Sequence, residues 1–167
     1  MSVLEMITSH FLHWSVEHFV WDALAFVVLG VACARRDLHG CLTTLVVAIF
    51  AIPLAVMHFA PEVAVYRGLS GLDSALFALL LVQMRSRLAL LCGIAFAAKI
   101  AFELTTGSAL FAANMGEGVV AVPVAHIAGA LVGLCAGTAA HGRPRRPGAA
   151  GATLVDPCAS SSPCSSH

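Results

Sequence analysis

Five long apolar runs, separated by short polar breaks, dominate the chain. They cover roughly Phe11–Ala34, Cys41–Ala60, Ser70–Met84, Leu88–Leu104 and Val119–Ala140. A helix that crosses a bilayer needs about 20 residues, within a range of about 17–25. The first, second and fifth runs meet this, whereas the third and fourth are short and must draw flanking residues into their helices. The pattern predicts an all-α polytopic membrane bundle of five transmembrane helices. The first run has no basic segment before it and no small-residue cleavage site after it, so it does not read as a cleavable signal peptide.

Composition supports the same class. Hydrophobic residues make up 59% of the 167 positions and charged residues only 11%, against about 25% charged in an ordinary soluble domain. Residues 1–140 read as one transmembrane domain. From His141 onward the chain is rich in Pro, Gly, Ala and Ser with a short basic cluster, a composition that cannot bury a core and predicts a disordered cytoplasmic tail over 141–167. The glycines and Asn114 of Thr105–Gly118 suit a mobile loop. Net charge is zero, which gives no reason to expect nucleic acid. The six cysteines show no CxxC spacing, so they suggest neither a zinc site nor a disulfide framework, and no metal or cofactor is expected.

The breaks orient the chain. Arg35 and Arg36 follow the first run, Arg85 and Arg87 follow the third, and Arg143, Arg145 and Arg146 follow the fifth; the opposite ends carry only Arg67. Basic residues favour the cytoplasmic side. The N-terminus is therefore expected outside, the C-terminus inside, and Ser70 at the external end of the third helix.

Polar side chains within apolar runs are costly in lipid and mark bundle interiors or aqueous cavities. The first run contains His13, Glu17, His18 and Asp22, with His18 and Asp22 one helical turn apart on a shared face. The fifth contains His126, followed by Gly129 and Gly133 at the spacing that lets helix backbones approach closely. The third opens with Gly68-Leu69-Ser70-Gly71. Ser70, His126, His18 and Asp22 all fall at compatible depths. A serine becomes a nucleophile when a base such as histidine takes its proton. An oxyanion needs fixed donors, which His18 and the Ser70 backbone N–H offer, and flanking glycines allow a sharp turn and close substrate approach. Each residue also has a plainer role: Ser70 as an N-cap with Asp73 completing a box, His126 as an interhelical hydrogen-bonding group, His13 as a structural side chain, and Lys99 with Glu103 as an intrahelical ion pair. Trp14 and Trp21 read as interfacial or packing aromatics, and Arg67 as a loop or headgroup anchor.

Three motifs together resemble the rhomboid intramembrane serine proteases, in that family's order: His13-Trp-Ser-Val-Glu-His18-Phe-Val-Trp-Asp22 is similar to its HxxxxHxxxN helix, Gly68-Leu-Ser70-Gly71 to its GxSG, and Ala125-His126-Ile-Ala-Gly129-Ala-Leu-Val-Gly133 to its AHxxGxxxG. The wider context, YRGLSGLDSALF with HWSVEHFVWD and VPVAHIAG, is more similar to the rhombosortase branch, and the resemblance covers roughly Thr8–Ala140. It implies Ser70 as nucleophile and His126 as base in a dyad without an acidic third member. It further implies His18, Asp22, Gly68 and Gly71 around the oxyanion and substrate, and Gly129 and Gly133 packing the fifth helix on the third. Implied substrates are single-span membrane proteins, in rhombosortases those with C-terminal Gly-Gly anchors, cut near the external face of a bacterial plasma membrane. The chain departs from the family in two ways. Asp22 stands where the family has Asn; ionised, it only accepts hydrogen bonds and would repel an oxyanion, unless it is protonated or serves to orient His18. The family core has six helices, and the five here correspond to the second through the sixth. The alternatives are an inactive rhomboid-like protein that binds membrane clients, and a small transporter in which His18, Asp22, Lys99 and Glu103 line a path.

Overall fold

The computed structural model describes residues 2–63, 66–107 and 122–141. It begins with a helix absent from the sequence reading, α1 (Val3–Ser9). Ser2 Oγ accepts from the Glu5 N–H at 3.2 Å and Glu5 Oε2 accepts from the Ser2 N–H at 2.6 Å, a reciprocal cap that fixes this short turn.

The first two apolar runs form one helical stretch, α2 (Val16–Phe59), of 44 residues. Straight, it would extend about 66 Å, twice the roughly 30 Å of a bilayer core. It is broken at Asp37, whose backbone is non-helical (φ −156°, ψ 94°). Asp37 Oδ1 accepts from the Gly40 N–H at 3.0 Å and so caps the second arm. The arms then run antiparallel. Cys41 Sγ lies 3.8 Å from the Gly30 carbonyl next to the break, while His10, ahead of the first arm, reaches Ile49 in the second.

The other helices are α3 (Ser70–Met84), α4 (Arg87–Thr106) and α5 (Pro123–His141). α3 ends at Arg85 in the left-handed conformation. α4 is capped by Ser86, which accepts from the Ala89 N–H at 3.1 Å, and ends at Gly107 (φ +67°). α2 and α4 are each long and apolar enough to cross a membrane; α3 and α5 are shorter apolar helices. Almost all of the loop expected at Thr105–Gly118, and the tail beyond His141, lie outside the described residues.

α3 is the central element, packed by α2 and α5, with Gly71, Leu72, Ser74, Ala75, Leu76, Ala78 and Leu79 buried. Cys33 Sγ donates to the Leu76 carbonyl at 3.3 Å and ties the first arm of α2 to it. α5 packs backbone to backbone on α3. A Cβ on Gly129 would overlap the Gly71 carbonyl, and one on Gly133 would overlap the Ala75 carbonyl and lie 2.9 Å from the Leu79 nitrogen. Gly137 continues this contact against Val82, a third glycine that the sequence reading passed over. Large apolar side chains such as Trp21, Leu24, Val28, Leu90, Leu91, Ile94 and Leu131 point outward. Small residues inside and large apolar residues outside suit a bundle in lipid, where burying hydrocarbon brings little gain and close packing does the work.

Two expectations follow. Gly133→Leu forces α5 off α3 and should destabilise the fold by about 1–3 kcal/mol or more, read as a lower melting temperature in detergent. His10, between α1 and α2, is fully buried and its Nε2–H donates to the Ile49 carbonyl at 3.0 Å. Burial pushes its pKa below the ordinary value, by more than the carbonyl acceptor restores. With the folded pKa depressed, the contribution of neutral His10 to stability is complete above about pH 6.5 and is lost as pH falls through the folded pKa. Melting temperature should therefore drop between about pH 7 and pH 5, and His10→Gln should flatten that part of the profile.

Candidate active site

The site starts from the turn that enters α3. Gly68 has φ +123°, and a Cβ there would also lie 3.4 Å from Asp22 Oδ2. The Gly68 N–H donates to the Ser9 carbonyl at 3.1 Å, and its own carbonyl accepts from Tyr66 Oη at 3.1 Å. Burial pushes the Tyr66 phenol up, and the negative charge of Asp22 adds to this, so the phenol stays a neutral donor. Gly71 is also tight: a Cβ would meet Tyr66 Oη at 2.8 Å and Ile52 at 3.1 Å. The N-cap of α3 is Leu69, with no side-chain cap bond, and Ser70 is the first helical residue. The capping role considered for Ser70 is therefore not the one observed. Its hydroxyl makes no hydrogen bond among the described residues, to His126 or to any other group.

Ser70 and His126 line a single cavity of about 320 Å³. Asp22, Asp73, Ser74 and Lys99 add polar groups to its wall, while Ala25, Leu29, Phe77 and Phe96 make it apolar elsewhere. α2, α3, α4 and α5 all contribute. Asp73, which the sequence reading considered only as part of a cap, has one oxygen buried without a partner.

His126 is 9% exposed. Its Nδ1 lies 3.0 Å from Glu103 Oε2, and Glu103 Oε1 accepts from Lys99 Nζ at 2.7 Å. Glu103 is 2% exposed, one of two buried residues on α4. The intrahelical Lys99–Glu103 pair expected from spacing is present, but the carboxylate is shared with another helix. A carboxylate from another helix thus stands at Nδ1 of His126, a neighbour that helical spacing alone did not indicate. Lys99 Nζ is also 3.5 Å from Nδ1. The two approaches demand opposite tautomers, since Nδ1 must donate to Glu103 but accept from Lys99. The shorter, charge-assisted bond to the carboxylate assigns the proton to Nδ1. The helical spacing disclosed the Lys99–Glu103 pair, whereas its link to His126 spans 23 positions and depends on how α4 meets α5.

On α2, Asp22 Oδ2 lies 3.3 Å from both His18 Nε2 and His13 Nε2. These separations are within ion-pairing range but off hydrogen-bond alignment, as Asp22 Oδ2 and His13 Nε2 have no hydrogen-bond partner. The rings of His13 and His18 meet edge to face at 5.2 Å. His13, read as structural from the sequence, thus joins the group around Asp22. Arg67 stacks over Trp14 at 4.7 Å, which anchors the loop before the turn.

A family model for the Rhomboid domain matches residues 1–143. The chain belongs to the rhomboid family. Rhomboid domains sit in the membrane and act there on transmembrane proteins, as intramembrane serine proteases or as inactive homologues, and the apolar all-helical bundle makes this chain an integral membrane protein of that kind. No curated protein and no solved structure matches the chain significantly. Because Gly68 in this rhomboid combines a positive φ with close contact to Asp22, Gly68→Ala should cost about 1–3 kcal/mol, measured by thermal denaturation.

Proposed function

We propose that this rhomboid is an active intramembrane serine endopeptidase of the rhombosortase branch, cutting single-span membrane proteins with C-terminal Gly-Gly anchors. The observation that carries the reading is that Ser70 and His126, from different helices, line one cavity, with the serine hydroxyl uncommitted to any other partner among the described residues. Ser70 Oγ attacks the scissile carbonyl carbon while its proton passes to His126 Nε2. The tetrahedral oxyanion faces the Ser70 N–H, one of the unpaired donors at the start of α3, and His18. Collapse breaks the C–N bond, and His126 returns its proton to the leaving amine. Water, deprotonated by His126, then hydrolyses the acyl-enzyme and regenerates Ser70.

The depth of the site fits such a substrate. α3 has 15 residues, about 22 Å of helix, against roughly 30 Å of hydrocarbon. With Arg85 held at one interface, Ser70 lies below the other, within reach of a transmembrane segment. The arginine distribution puts Arg85 on the cytoplasmic side, so the cavity faces the external half of the membrane. A Gly-Gly segment suits this site because glycine weakens a helix by about 1 kcal/mol per residue, and a peptide must leave the helical state before its carbonyl is open to attack.

The test is co-expression in membranes with a tagged, Gly-Gly-anchored reporter. Wild type should cleave it, while Ser70→Ala and His126→Ala should each reduce cleavage by a factor of about 10³ or more. Equal cleavage by wild type and Ser70→Ala would rule the assignment out.

A further inference from the structure

Resting on the protease reading, we infer that Glu103 is a positioning residue, held by Lys99, that keeps His126 in the tautomer a base needs. An ionised carboxylate in a membrane helix is costly unless paired. On an otherwise lipid-facing helix, a lysine and a glutamate one turn apart would reach toward the interface. Glu103 instead points inward and is 2% exposed. Each of its oxygens has its own partner, Lys99 Nζ at 2.7 Å and His126 Nδ1 at 3.0 Å. With Nδ1 donating to Glu103, the Nε2 lone pair of His126 is left to accept a proton, and the cavity that His126 lines is the one that holds Ser70. This matches the division of labour in a Ser-His-Asp triad, where the buried acid fixes tautomer and orientation and favours the imidazolium that forms.

Lys99 makes the arrangement a choice between two states. Its Nζ stands 3.5 Å from the same Nδ1. With the carboxylate neutralised, the ammonium competes for Nδ1 as a donor, which moves the ring proton to Nε2 and blocks the base. Glu103 therefore both supports the productive tautomer and occupies the cation that would support the other one.

The experiment measures reporter cleavage by the full chain and labelling of Ser70 by a fluorophosphonate, for wild type, Glu103→Gln and the double variant Glu103→Gln/Lys99→Met. Glu103→Gln should lower kcat by about 10³–10⁴-fold with KM within about threefold of wild type. The double variant should recover at least about tenfold of that loss, because the competing donor is gone. Nitrogen-15 NMR of histidine-labelled wild type in detergent at about pH 8, above the range in which a free imidazole titrates, should show the Nδ1–H tautomer at the resonance missing from His126→Gln. Wild-type kcat in Glu103→Gln, a loss confined to KM, no recovery in the double variant, or an Nε2–H tautomer in wild type would each overturn the inference while leaving the protease reading intact. Wild type that neither cleaves nor labels would sink the protease reading and this inference with it. The tautomer measurement on wild type stands even if a variant fails to fold.

Discussion

The contact on which the rest of the molecule depends is the backbone approach of α5 to α3. Gly129 and Gly133 lie against main-chain atoms of Gly71, Ala75 and Leu79, with no room for a Cβ. This approach fixes the axial position of α5, and with it the height at which His126 meets the cavity beside Ser70. In lipid there is little hydrophobic drive to bring helices together, so dispersion between closely packed backbones must do so. A site built from side chains on two helices is then only as well defined as the register of those helices.

The second constraint is electrostatic. α4 has few buried residues, and its apolar side chains mostly face outward. Glu103 is the polar exception: its bond to Lys99 stays within α4, and its bond to His126 joins α4 to α5 at the level of the cavity. The edge-to-face contact of Phe77 with Phe96 adds a link from α4 to α3. A carboxylate buried with both oxygens engaged is specific in direction as well as favourable, because leaving either partner out strands a charge in a low dielectric. Asp22, which also lines the cavity, stands within ion-pairing range of His13 and His18 through one oxygen, and Tyr66 and Ser9 hold the Gly68 turn through its backbone.

The sequence disclosed the helices because apolar run length is a local property. It disclosed Ser70, His18, Asp22 and His126 as residues of interest because polar groups stand out in apolar runs. It did not disclose that Asp37 would cap the second arm of α2, since a capping bond depends on where the backbone leaves the helix. The burial of His10 against Ile49 was likewise hidden, because it rests on a contact made across 39 positions, whereas α1 carries a local cap between Ser2 and Glu5 that was passed over.

The division follows from the range of the forces. Hydropathy, glycine spacing and arginine placement are written along the chain, and they determined the class of protein, its five apolar segments and the residues able to carry chemistry. Only the tertiary structure decided which of those residues meet. Lys99 and Glu103 one turn apart are a pair in any helix, but Glu103 against His126 requires α4 and α5 to pack at one register and rotation. In a bilayer, that register is set by where small residues let backbones touch, and it selects which buried charge finds which partner.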